Sequence, residues 1–272
     1  MALIAAITVC ASGVEDEPFL GDGEIEAGED PEAELARAVQ NPVASLISVP
    51  FQNNLNFEVG PKSKTQNILN IQPVYPISLS EEWNLITRTI LPVIHQPPFF
   101  PDKGRICGAG DLTFTPFLSP ARPGKFMWGV GPVFEFPTAS DEVLGTEKWS
   151  VGPSAVVLRM TGPWVYGTLI NNVWSYAGDG DRANVNRMLL QPFINYNMPD
   201  GWYLSSSPII TADWEADSSN QWTIPIGGGF GKIFKIGRQP MNFSIQSFYN
   251  VESPRNGADW TLRLQLQFLF PK

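Results

Sequence analysis

The sequence predicts an all-β protein: a transmembrane, antiparallel, up-and-down β-barrel of about twelve strands, preceded by a short N-terminal helix. Three observations predict this fold class. Only 17% of the 272 residues are charged, against about 25% in a typical soluble domain. The apparent strands run roughly ten to fourteen residues, close to the 9–11 with which a tilted strand crosses a bilayer. Within them, apolar and polar side chains alternate, so each strand has one face of each kind.

The chain begins with three segments that precede the strands. Residues 1–13 are apolar and small, as in a secretory signal, and we interpret them as a truncated signal segment because a positively charged start is missing. Residues 14–31 are acidic and rich in Gly and Pro, so we expect them to be flexible. Acidic residues then follow Asp30, a favourable N-cap, which predicts a helix within residues 32–50. This helix either plugs the lumen or lies on the periplasmic side.

Residues 51–272 are predicted to form the barrel, with turn residues separating the strands. The predicted strands are 51–60, 65–78, 83–95, 110–118, 125–137, 149–160, 164–177, 184–198, 201–214, 221–234, 239–250 and 258–270. After the first strand, tight connections alternate with longer polar ones. Outer-membrane barrels show this alternation, with short periplasmic turns, longer extracellular loops and an even number of strands.

The last strand, Trp260–Phe270, shows the alternation most clearly. Large apolar side chains occupy every second position, and Arg263, Gln265 and Gln267 lie between them. In a soluble sandwich or a lipocalin-like barrel the apolar face would point inward, and both alternatives stay open at this level. Aromatic residues near the strand ends favour the membrane barrel, because such residues form girdles at the headgroup level. They are Trp83, Trp149, Trp164, Trp202, Tyr203, Trp214, Trp222, Tyr249 and Trp260.

Isolated charged residues fall on the polar face of several strands. An unpaired ion in a dry core would cost several kcal/mol, whereas a polar lumen can hydrate it or pair it. We therefore predict that one mixed-sign set of residues lines the lumen and the path of the solute: Arg88, Asp111, Glu135, Arg159, Arg187, Asp213 and Arg263. With about twelve strands the lumen is narrow, which excludes a wide general porin.

Other residue patterns carry weaker chemical signals. His95 is the one histidine and lies at a strand end; a hydrolase would need a nucleophile within hydrogen-bond reach of it. Asp179 and Asp181 in a Gly-rich turn are too few for a calcium site. The glycines at 227–229 lack the Lys-Ser/Thr of a phosphate loop, so we expect a bend, a bulge or the close approach of another backbone, such as the N-terminal helix. We predict no catalytic residue, no metal and no cofactor.

The net charge of −9 argues against nucleic acid as a partner, because a binder needs a basic surface. The expected surroundings are outer-membrane lipid of a Gram-negative-type cell, and a monomer is the expected state. The predicted function is passive passage of small, hydrophobic or aromatic molecules through a narrow polar lumen. Two alternatives remain: an outer-membrane hydrolase that uses His95, and a structural barrel with a closed lumen.

Several motifs also resemble a known family. They are, in chain order, residues 41–52 (NPVASLISVPFQ), 108–112 (GAGDL), 222–231 (WTIPIGGGFG) and 266–271 (LQFLFP). With them, residues 35–272 are similar to the outer-membrane proteins grouped as "MetA-pathway of phenol degradation". The resemblance implies an outer-membrane barrel and uptake or efflux of aromatic or other hydrophobic compounds. It implies no catalytic residues, and the acidic segment 14–31 lies outside it.

Overall fold

The structure is a computed structural model, and it describes residue 35 and residues 39–98, 104–122 and 124–270. Fifteen β-segments make up almost all of it: β1 (Ile47–Val59), β2 (Lys64–Ile71), β3 (Val74–Ser78), β4 (Trp83–Gln96), β5 (Ile106–Ala109), β6 (Leu112–Pro120), β7 (Met127–Phe136), β8 (Lys148–Thr161), β9 (Trp164–Gly178), β10 (Asn186–Asn197), β11 (Trp202–Ser206), β12 (Ile210–Asp213), β13 (Trp222–Ile236), β14 (Gln239–Glu252) and β15 (Trp260–Phe270). Two single-turn 3₁₀ helices, Pro199–Gly201 and Ser218–Asn220, lie in connections. Within the described residues, no helix is long and apolar enough to cross a membrane.

The segments form one closed antiparallel sheet. Three strands of the wall are each divided into two segments, namely β2 with β3, β5 with β6, and β11 with β12, so the wall has twelve strands. Each wall strand pairs with its neighbours along the chain, and β15 pairs with β1 to close the barrel. The predicted fold class is therefore confirmed. Closure leaves no sheet edge with unpaired backbone groups, which the interior of a bilayer could not satisfy.

The seam between β1 and β15 runs from the pair Ile47–Phe270 to the pair Phe57–Trp260. At the second of these pairs, the rings of Phe57 and Trp260 stack with their centroids 3.9 Å apart. β1 begins at Ile47, four residues before the predicted start. Residues 47–50, which were predicted to belong to the N-terminal helical stretch, therefore form a strand. The reason is tertiary, because the end of β15 requires a partner strand over its full length.

The two ends of the barrel differ. The short-turn end carries the beginning of β1, the end of β15 and the turns at residues 79–82, 121–126, 162–163, 198–201 and 237–238. The long-loop end carries the connections at residues 97–105, 137–147, 179–185, 214–221 and 253–259, together with the tight turn that follows β1. This is the alternation that the sequence predicts.

Large apolar side chains cover the outside of the barrel. Ile170, Phe230 and Ile226 point outward and are 42%, 48% and 62% exposed, whereas their neighbours of opposite parity face the interior. Aromatic residues flank this belt at both ends, with Trp164 and Trp202 at the short-turn end, and Trp174 and Trp214 at the long-loop end, all more than a third exposed. The soluble alternatives are excluded, because they would bury this face.

Tyr203 is an exception to the predicted girdle. It points inward and is only 4% exposed, and its hydroxyl donates a hydrogen bond of 2.7 Å to Oδ1 of Asn242. Its ring lies over Gly231, where a Cβ would come within 2.3 Å of the ring. The glycine thus provides the space that lets an aromatic ring fold into the lumen rather than into the lipid.

The glycines at 227–229 also mark close backbone approach, as expected. A Cβ at Gly227 would lie 1.9 Å from the carbonyl oxygen of Ser247, and one at Gly229 would lie 1.9 Å from that of Ile245. Both oxygens belong to β14, so the approaching backbone at these two positions is that of the neighbouring strand.

Candidate functional site: the barrel lumen

Neutral amide and hydroxyl side chains line most of the lumen. On β1, Gln52 and Asn54 are buried on the inner face, and Asn56 donates a hydrogen bond of 2.9 Å to Oε1 of Gln66 on β2. Gln66 in turn donates one of 2.6 Å to Oε1 of Gln96 on β4. Such chains satisfy polar groups without charge, so the lumen is polar and largely neutral.

Several cavities occupy this lumen, and three of them share Gln52 in their lining. The large cavity has a volume of about 760 Å³ and extends from loop residues such as Asn220 and Arg255 down to Gln52 and Arg88. A side cavity of about 580 Å³ lies along β1, β2 and β15 and also reaches Gln52. The small cavity, about 200 Å³, lies toward the short-turn end and is bordered by Gln52 and Arg88 as well. All three cavities therefore border Gln52, and the large and small cavities also share Arg88.

The segment of residues 39–46 lies inside the short-turn end of the barrel. Val43 is 7% exposed and packs in a cluster of inward-facing side chains on β4, β6, β8 and β9, which are Ile86, Phe117, Val156, Leu158, Val165 and Leu169. The side chains of Gln40 and Asn197 exchange hydrogen bonds of 2.8 and 3.2 Å. Leu35 and Val39 have helical backbone and pack against Tyr203 and Ile233.

Residues 39–46 therefore form one wall of the small cavity. Residues 32–34 and 36–38 of the predicted helical stretch lie outside the described residues, as do the signal segment and the acidic segment.

The connection at residues 137–147 folds into the long-loop end of the barrel. Asp111 holds it: its Oδ2 accepts hydrogen bonds from the backbone N–H and the hydroxyl of Thr146 at 2.6 and 2.8 Å, and its Oδ1 accepts one from the N–H of Ala139 at 3.2 Å. Arg182 donates to the carbonyl oxygens of Glu142 and Gly145 at 2.9 and 2.6 Å. The predicted lumen residue Asp111 is thus a loop anchor, and it is not among the described residues that line the cavities.

Three of the predicted residues come together in the wall of the large cavity. The guanidinium of Arg187 lies 2.8 Å from a carboxylate oxygen of Glu135, and Asp213 occupies the position directly opposite Arg187 on β12. All three line the large cavity. The wall of the large cavity therefore carries charges of both signs.

Arg88 and Arg263 are placed differently. Arg88 borders both the large and the small cavity, and its Nη2 donates a hydrogen bond of 2.9 Å to Oε1 of Gln72. Arg263, which is 6% exposed, lines the side cavity. Its Nε donates to Asn54 at 3.1 Å, and its Nη1 donates to the carbonyl oxygen of Ser207 at 2.9 Å. Neither arginine forms an ion pair with another described residue.

Arg159 does not line the lumen. Ser154, Val156 and Leu158 set the inward parity of β8, so Arg159 points outward near the short-turn end. Its guanidinium lies 5.4 Å from the ring centroid of Phe126. At the level of the headgroups an arginine can keep its charge hydrated while its stem covers apolar surface, so the charge does not require a place in the lumen.

His95 lies on the outward parity of β4, with Cys107 of β5 directly opposite. Its imidazole makes no hydrogen bond within the described part of the chain, and Cys107 is an exposed free thiol. Asp179 accepts a hydrogen bond of 2.8 Å from the N–H of Asp181, which is a turn interaction. Among the described residues there is no group of three or more His, Cys, Asp or Glu side chains that could hold a metal ion.

The predicted set of lumen-lining residues contained only charged residues and left out the amides. Gln52 and Gln72 line both the large and the small cavity. The alternation of amides along β1 was the available signal, because three polar residues at every second position mark a wet face.

Comparison with known proteins identifies the fold. No family model matches the sequence, and no curated protein matches it. Among solved structures, an outer-membrane channel from Pseudomonas putida F1 matches with a TM-score of 0.64 and 18% identity over 85% of this chain and 97% of the channel. The protein is an outer-membrane β-barrel. The apolar belt and the aromatic girdles agree with this location in the cell outer membrane.

Two other solved structures are less similar. The monoaromatic hydrocarbon channel CymD matches with a TM-score of 0.48 and 8% identity over 89% of this chain and 91% of that one. Outer-membrane phospholipase A from Escherichia coli matches with a TM-score of 0.42 and 11% identity over 87% of this chain and 98% of that one.

Proposed function

We propose that the protein is a narrow channel for passive passage of small molecules, including hydrophobic or aromatic ones, across the outer membrane. The observation that carries this proposal is the large cavity, which leads from the long-loop end to the middle of the closed barrel and has a volume of about 760 Å³. A volume of about 300–1,000 Å³ accommodates a small organic molecule.

The lining of this cavity suits amphiphilic solutes. Ile90, Val133 and Val173 contribute apolar surface, while Arg187 and Glu135 contribute charge. An aromatic ring can lie against the apolar side chains and keep its polar substituent in the hydrated part of the lumen. We also propose that the protein belongs to the "MetA-pathway of phenol degradation" family. The sequence motifs that resemble this family, which occur in the same order along the chain, support this.

The segment of residues 39–46 is the plug in this proposal. It fills the short-turn end beside the small cavity of about 200 Å³, so a solute that has entered from the long-loop end meets it before the periplasm. Passage then requires this segment to move, or the solute to be small enough to pass beside it.

Liposome swelling with the purified full-length protein tests the proposal. We expect influx of small sugars and aromatic compounds that falls steeply with solute size, because a twelve-stranded wall encloses a narrow lumen. Deleting residues 14–46, which leaves β1 intact, should raise the rates. Protein-free liposomes are the control. Absence of influx for every small solute, with the full-length protein and with the deletion variant, would overturn the channel proposal in favour of a closed structural barrel.

A further inference from the structure

The charge balance of the three cavities that share Gln52 is positive, whereas the cavity of about 370 Å³ at the long-loop end has Arg182 and Arg187 against Asp181 and Asp213. Among the described lining residues, Arg88 is the one ionised side chain of the small cavity, and Arg263 is the one ionised side chain of the side cavity. The large cavity has three arginines, at 88, 187 and 255, against Glu135 and Asp213. Below the long-loop end, a permeating ion therefore meets a local excess of positive charge in each of these three cavities.

Among the described residues, no carboxylate forms an ion pair with Arg88. Its hydrogen-bond partner among the described residues is the amide oxygen of Gln72, and an amide satisfies one donor without compensating the charge. Removing an ion from water without a counter-ion costs several kcal/mol. A guanidinium has five N–H donors in a fork that matches a carboxylate in two parallel hydrogen bonds. Arg88 thus retains donors at the point where the large and small cavities meet.

Arg263 is a different case, because its surroundings hold the side chain in place. Its Nε and Nη1 are bound to Asn54 and Ser207, and its guanidinium lies 4.7 Å from the ring centroid of Phe248. It adds to the positive potential, while Arg88 has the geometry to contact a solute.

Apolar side chains share the wall of the large cavity with Arg88. Ile90 follows it by two residues on the same face of β4, and Val133, Val173 and Leu189 complete an apolar part of the large cavity. A ligand whose charged end reached Arg88 would place its remaining atoms against this surface. Such a ligand has one carboxylate and an apolar body.

We propose that Arg88, with Gln52 and Gln72 beside it, forms a binding site for small organic carboxylates with an aromatic or aliphatic body, and that the channel is anion-selective. This inference rests on the proposed function and names its solute class. In a narrow pore, arginine side chains attract anions and repel cations, which is how charged pores select.

Reversal potentials in planar bilayers test the selectivity. Under a potassium chloride gradient at low ionic strength, where screening is weakest, we expect the full-length protein to prefer chloride over potassium. Arg88→Gln should lower this preference on the order of tenfold, the change produced by about 1.4 kcal/mol. Arg88→Lys should keep it. Arg159→Gln is the matched control, because it removes the same charge from the outer surface.

Binding of benzoate and benzamide, which share a shape and differ in charge, tests the site without requiring conduction. In calorimetry on the detergent-solubilised protein, we expect benzoate to bind at least tenfold more tightly than benzamide, and Arg88→Gln to remove the difference. Equal binding of the two compounds would overturn the carboxylate site. A conducting channel that prefers potassium or has no preference would overturn the selectivity. Absence of conduction together with preferential benzoate binding would refute the channel and retain the site.

Discussion

Replacing Val43 by aspartate tests whether the segment of residues 39–46 obstructs the lumen. Val43 is 7% exposed and packs against a cluster of inward-facing side chains. Burial of a valine side chain contributes about 1.5–3 kcal/mol, and an unpaired carboxylate in the same place would cost several kcal/mol more. Loss of the valine contribution alone changes the ratio of inserted to displaced segment by roughly 10- to 150-fold.

Single-channel recording measures this change. We expect Val43→Asp to increase the fraction of time spent in the highest conductance level, with Val43→Ala giving a smaller increase in the same direction. Ser45→Asp is the matched control, because Ser45 is exposed and an aspartate there can still accept the hydrogen bond of 3.1 Å from Asn84. If Val43→Asp folds, as heat-modifiable migration in gels would show, and conducts like the unmodified protein, the segment does not limit passage.

Two further predictions concern the wall and the loop anchor. Ile170→Arg places a charge on the outer face midway along β9, and should lower the free energy of unfolding in vesicles by about 2–4 kcal/mol, against about 0–1 kcal/mol for Tyr176→Arg near the interface; equal costs would contradict the assigned membrane position. Asp111→Ala removes the acceptor of three hydrogen bonds, so limited proteolysis should cut the connection at residues 137–147 at least tenfold faster. Asp141→Ala, which removes one local turn bond to Val143, should have little effect, and similar cleavage of both variants would argue against Asp111 as the anchor.

The two faces of each strand could be predicted from sequence because side-chain direction along a strand is a local property. On β10, for example, Arg187 and Gln191 lie on one face, whereas Met188 and Ile194 lie on the other. Strand lengths and turn residues gave the number of wall strands in the same way. Parity is less informative at a strand end, where lipid headgroups tolerate charge. For this reason the prediction that Arg159 lines the lumen was wrong. Tyr203 points inward because Gly231, on the paired strand, leaves space for its ring, and the position of Tyr203 in the sequence does not show this.

Contacts between inward-facing residues could not be predicted, because they depend on which strands meet across the lumen. Arg187 reaches Glu135, 52 positions away in the chain, and Asp111 is used by Thr146 rather than by a solute.

The sequence by itself determined the strands, their apolar and polar faces and the two unequal ends, since alternation and turn chemistry are properties of neighbouring residues, and it favoured the membrane barrel over the soluble alternatives. Only the tertiary structure decided that Val43 lies inside the barrel and that Arg88 borders two cavities without a carboxylate partner among the described residues. Both depend on the closure of β15 onto β1, which sets the distances across the lumen.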